Sequence, residues 1–189
     1  MTPPSISKTR SNYCISICNR MLSNFDLEEL SEHYGFPLTQ VLMKDEMKSL
    51  KASKHAIYII NLQSSSQGNG THWLALVVRF NNKYFCCESF GVLLPKEVIA
   101  FCKRIPKSYL GYNDFAFQNI KAETCGWFAV GLLIYLQNHP DRDLYDACGD
   151  YIKIFSYDTT KNNTVLKAYF RKLPKSKGCP LINKLYSEK

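Results

Sequence analysis

The sequence predicts an α+β fold, and three observations carry that reading. A short helical segment is followed by a cluster of β-branched and aromatic runs, and then by several more helical segments. That segregated order is the signature of the class. THWLALVVRF, the turn NNK and YFCCESF read as an antiparallel hairpin, and its first strand is apolar enough to be central and covered. Finally, CGWFAVGLLIYLQ is apolar on all sides, which predicts a buried helix.

Taken in order, residues 1–12 are polar and rich in Pro and Ser, and read as loose. Asn24 or Asp26 caps a helix over LEELSEHY, which Gly35 and Pro37 stop. PLTQVLMKDEMKSL is ambiguous and partly helical by composition. AIYIINL, residues 56–62, is a strand, and QSSSQGNG is a loop. Pro95, as a first-turn proline, opens the helix KEVIAFCKR. FAFQNI reads as another short strand, giving three or four in all. Thr124 then caps the buried helix. Residues 141–153 and 159–173 form two further helices, the last basic on its outer side. With 189 residues and no repeat or linker, the chain is expected to be a single domain with a basic tail at 174–189.

Composition narrows the function. Apolar residues make up 46% and charged residues 21%, so wholesale disorder is not expected. The longest apolar run, Trp127 to Leu136, is 10 residues, against the roughly 20 that span a membrane. No apolar block follows the first charges, so no secretory signal is read and a soluble intracellular protein is expected. The eight cysteines contain no CxxC pair. Cys14, Cys18 and His33 have no standard metal spacing, so no metal site is expected. Most of these thiols should be buried fillers. The net charge is +8, of which the segment from Lys161 onward carries +7. Such a patch attracts nucleic acid without base contacts, or is simply a solvated face and tail.

One thiol stands apart. Cys125 falls at the start of the buried helix, where free amides and the helix dipole favour a thiolate and can donate to an oxyanion. A nucleophile needs a base, and the sequence holds four histidines. His33 and His139 lie at helix positions and His55 in a loop, whereas His72 stands at the mouth of the central strand beside Trp73. Trp73 either covers the site or belongs to the core. Glu88, sixteen residues on, ends the partner strand and can orient the imidazole. Gln118, seven residues before Cys125, brings a primary amide suited to an oxyanion hole.

GTHWLAL, YFCCESFG and the Gln118-to-Cys125 spacing that closes in CGWF resemble the adenovirus-type, adenain-like cysteine proteases of adenovirus relatives and Maverick/Polinton elements. The similarity spans roughly residues 56 to 136. It implies a papain-like fold shared with SUMO-specific proteases, a central mixed sheet with the nucleophile's helix packed against it. By position it implies His72 as general base, Glu88 as orienting acid, Gln118 as oxyanion glutamine and Cys125 as nucleophile. The implied function is a cysteine endopeptidase that processes viral precursor proteins, acting as a monomer in the host nucleus or the virion. No metal or organic cofactor is implied, but DNA and a short peptide are implied as activators. Cys102, on the helix after the hairpin, is either that peptide's anchor or a buried thiol, and the second reading is preferred. The rival readings are an isopeptidase that removes ubiquitin or SUMO, and an inactive basic DNA-binding or virion protein.

Overall fold

The computed structural model describes residues 20–51, 53–68, 70, 72–79 and 82–173. The expected loose segment 1–12, the basic tail 174–189, and Cys14, Cys18 and Cys179 lie outside these residues. The chain runs α1 (Asn24–Tyr34), β1 (Gln40–Met43), a 3₁₀ turn (Lys44–Lys48), β2 (Ala56–Asn61), β3 (Trp73–Arg79) and β4 (Lys83–Cys87). It continues through α2 (Lys96–Cys102), β5 (Tyr109–Tyr112), α3 (Cys125–Asn138), α4 (Leu144–Ile152), a 3₁₀ turn (Thr159–Lys161) and α5 (Asn162–Lys172).

The strands form one mixed five-stranded sheet in chain order. β1 with β2 and β4 with β5 pair in parallel, while the two inner pairings are antiparallel. β3 is therefore the central strand, and its alternate side chains enter two separate cores. Trp73, Ala75 and Val77 join Ile57, Ile59, Phe85 and Cys87 on the face packed by α3. Leu74, Leu76 and Val78 join Tyr58, Ile60, Tyr84 and Cys86 on the face covered by α2. Both faces are covered, which is why the strand reads as one apolar run instead of alternating. The helix α3 is wrapped by sheet, α1, α4 and α5, and so is apolar all round.

The structure corrects several expectations. Ser23, not Asn24 or Asp26, caps α1, and Asp26 reaches back to it as the other half of a capping box. The ambiguous segment at 37–50 holds the strand β1 and a 3₁₀ turn. Pro95 sits at the N-cap of α2, one residue before the first turn. FAFQNI is not a strand. Its Phe117 and Gln118 amides both donate to the Ser89 carbonyl (3.0 and 2.9 Å), a clamp on one residue instead of a ladder. The additional strand is β5, which is short, carries Gly111 and pairs in parallel with β4 across the intervening α2. None of those features gives a local signal. Thr124 holds the N-cap position of α3, but its hydroxyl donates to Asn163 (2.8 Å) and makes no capping bond. No helix among the described residues is long and apolar enough to cross a membrane.

Candidate active site

His72 lies one residue before β3, and Glu88 one residue after β4, just beyond the ladder's last pair, Ala75 with Cys87. The hairpin therefore delivers both to the same end of the sheet. The His72 carbonyl accepts from the Leu62 amide (2.9 Å), which extends the pairing with β2 and fixes the histidine backbone. Nε2 of His72 is hydrogen-bonded to Oε1 of Glu88. Phe90 stacks on the imidazole with ring centroids 4.4 Å apart.

Glu88 is fully buried, and its carboxylate is satisfied from several sides. Besides His72, it accepts from the amides of Phe90 (3.0 Å) and Val92 (2.7 Å). Its own backbone is held by Asn113, whose Oδ1 accepts the Glu88 amide (2.8 Å) and whose Nδ2 donates to the Glu88 carbonyl (2.5 Å). Partners of this kind are what a buried charge requires.

Cys125 is the first residue of α3, pointed at the same corner. The amide of Trp73, the residue after His72, donates to Cys125 Sγ at 3.4 Å. With Thr124 turned toward Asn163, no side chain caps the first turn of α3, so its amides stay available to an anion. Burial opposes protonation of His72, but hydrogen bonding and charge from Cys125 and from Glu88 outweigh it, and the pKa is raised to about 9. Nδ1 of His72 is buried with no partner in full hydrogen-bond geometry. Since Nε2 is taken by Glu88, Nδ1 is the nitrogen left for the sulfur. Contacts of this kind are commonly loose before substrate binds.

Gln118 is buried too, with Ser89 donating to its Oε1 and its own Nε2 donating to the Ala122 carbonyl. Its segment is tied to Ser89, the residue next to Glu88. All four residues singled out in the sequence are thus buried, with His72, Glu88 and Cys125 brought together and Gln118 linked to them through Ser89. Trp73 is a core residue, its indole donating to the Leu22 carbonyl (2.7 Å). Cys102 is buried on α2, and burial pushes its thiol up to about 12. Cys86, Cys87 and Cys148 are also buried, their thiols pushed up by burial. His33, His55 and His139 lie elsewhere, on α1, before β2 and at the end of α3.

Asn113 and Ser89 escaped the sequence reading. The only trace of Asn113 is its place one residue past β5, and that strand itself gave no local signal.

No protein-family model matches the chain, and no curated protein matches it in sequence. Solved structures do match. The ASFV pS273R protease superposes with a TM-score of 0.54 at 12% identity, covering 83% of this chain and 68% of that one. The chain thus shares the α+β fold of that protease, a mixed sheet flanked by helices. Two weaker likenesses are the central domain of the uncharacterised Lpg1148 protein of Legionella pneumophila and ChlaDub1 of Chlamydia trachomatis. The first has a TM-score of 0.48 at 10% identity, covering 81% of this chain and 97% of that one. The second has a TM-score of 0.39 at 15% identity and covers 82% of each chain.

Proposed function

We propose that this chain is a cysteine peptidase that acts on protein substrates, with Cys125 as nucleophile, His72 as acid and base, Glu88 as orienting acid and Gln118 in the oxyanion site. The observation that supports it is the meeting of Cys125 Sγ with the amide beside His72 (3.4 Å), on a histidine already held by a buried carboxylate. The α+β fold shared with the ASFV protease agrees with it.

The chemistry runs as acyl transfer. The Cys125 thiolate forms a bond to the substrate carbonyl carbon, and the carbonyl electron pair moves onto oxygen. That oxyanion is met by the Gln118 amide and the Cys125 N–H at the head of α3. On collapse the carbonyl re-forms, the C–N bond breaks, and the amine leaves with a proton from the His72 imidazolium. Water then adds to the thioester as His72 takes its proton. The acid departs, and thiolate and imidazolium are restored. No step calls for a metal or an organic cofactor.

The finer reading is an endopeptidase that processes precursor proteins during virion maturation, with DNA or a peptide as activator. The test offers the purified chain Gly-containing precursor peptides and, in parallel, ubiquitin and SUMO conjugates, each with and without duplex DNA. Cleavage of the peptides, abolished in Cys125→Ala, is the expected result. Cleavage of the conjugates alone would make the chain an isopeptidase. No cleavage, together with iodoacetamide labelling of Cys125 no faster than of the other thiols, would overturn the peptidase reading.

A further inference from the structure

Ser89 lies between Glu88 and Phe90, is buried, and is bonded to the oxyanion glutamine more than once. Its hydroxyl donates to Gln118 Oε1 (2.5 Å), and its carbonyl accepts the amides of Phe117 and Gln118. At the far end of that side chain, Nε2 donates to the carbonyl of Ala122. A carbonyl only accepts, so the amide has one admissible orientation, with oxygen toward Ser89 and nitrogen toward Ala122. One N–H of Nε2 is used on Ala122. The second remains for an oxyanion.

We propose that Ser89 is the positioning residue of the oxyanion site, its hydroxyl holding the Gln118 amide with an N–H, and not the carbonyl oxygen, toward the developing negative charge. The assignment rests on the peptidase reading above and goes one residue beyond it. Without the hydroxyl, Oε1 is buried with no side-chain donor, and the amide is held at one end only, by its bond to the Ala122 carbonyl. An amide held at one end drifts from the developing oxyanion and its free N–H donates to it less well. The same residue follows Glu88, so one short segment holds the acid on one side and the oxyanion donor on the other.

The experiment compares peptide hydrolysis with alkylation of Cys125 by iodoacetamide. Displacement of iodide by the thiolate builds no oxyanion, so alkylation reports the state of Cys125 and His72 without Gln118. In Ser89→Ala, kcat is expected to fall roughly tenfold with KM unchanged, the size of one lost hydrogen bond in the transition state. The Cys125 alkylation rate is expected to stay at the wild-type value. In a Gln118→Ala background, Ser89→Ala should cost nothing further, because the group it positions is gone. Ser89→Thr, which keeps the hydroxyl, should restore kcat. A wild-type kcat in Ser89→Ala overturns the proposal, as does a loss that persists in full without Gln118. If alkylation falls to the rate of the other thiols, Ser89 serves the fold as a whole, and the proposal also fails. The peptidase reading has its own separate failure, a wild-type chain that neither cleaves nor labels preferentially at Cys125.

Discussion

His72 is the residue on which the site's electrostatics turn. An isolated buried imidazole would be neutral at pH 7, since burial penalises the charged form. Here Cys125 and Glu88 reverse that, and the pKa is raised to about 9. In the proposed reaction the leaving amine needs a proton, so the protonated ring is the useful one, and hydrolysis should decline on an alkaline limb near pH 9. Removing the negative charge in Glu88→Gln lowers the pKa of His72. The alkaline limb should then move to lower pH by about one unit or more, as expected for loss of an adjacent opposite charge. The pH profile of kcat/KM on a peptide substrate checks this, and an unmoved limb would mean that Glu88 does not set the charge of His72. Gln118→Ala should lower kcat about a hundredfold or more while leaving that limb in place, because it removes the proposed oxyanion donor and no charge. Each of the four candidate residues carried only a weak positional signal, at a strand mouth, a strand end, a set distance before a helix and that helix's first turn, and they were singled out by their joint order, which resembles that of the adenain-like cysteine proteases. Asn113 and Ser89 were not, because their importance comes from bonds to Glu88 and Gln118 made between segments far apart in the sequence.

The elements position these groups by close approach, and two glycines mark where. Gly91 has φ +65, and a Cβ there would lie 2.4 Å from the Phe115 carbonyl carbon and 2.5 Å from the Ala116 nitrogen. The loop after β4 thus rests backbone against backbone on the segment leading to Gln118. Gly126 is milder: a Cβ would lie 3.2 Å from Leu22 and 3.3 Å from the Trp73 ring, both side-chain atoms. Gly126→Ala should therefore fold, at an overpacking cost of about 1–3 kcal/mol, and lower kcat by shifting Cys125 against His72. Gly91→Ala should be the more destabilising, adding strain at positive φ to a clash with backbone that cannot turn aside. Denaturant unfolding of the two variants gives the order, and the reverse order would sink the argument. The central hairpin was visible in sequence because its strands are adjacent and turn on themselves. β5 was not, because a parallel edge strand is defined by a partner many residues away, here Cys86 opposite Tyr112. The apolar phenylalanines of FAFQNI imitate a strand, yet their burial serves the core under α3, with Phe117 against Phe128 and Phe155.

Across the whole molecule, the sheet divides the apolar residues into two cores, and the site lies at the end of the strand that serves both. The order of elements was enough to predict the class. The two-sided burial could also be read from the unbroken apolar run in β3. The site's charged pair should then couple to global stability with a definite sign. His72 is raised from its ordinary 6.5 to about 9 in the folded chain, so the folded state holds this proton more tightly than the unfolded state. Its stabilisation is fully present below about pH 6.5 and is lost as pH rises through about 9. Cys86, Cys87, Cys102 and Cys148, whose thiols burial pushes up, also destabilise the fold as the unfolded chain begins to ionise near pH 9. The total fall in melting temperature is therefore not specific to His72. The comparison with Glu88→Gln is, because both chains share the thiols and only the wild type carries the carboxylate facing His72. The wild type should melt higher than Glu88→Gln at pH 6.5, and the gap should narrow steadily toward pH 9.5. Scanning calorimetry across that range measures the gap directly. A gap that stays constant would mean that the pair contributes by shape and hydrogen bonding alone, with the imidazole already neutral at pH 6.5.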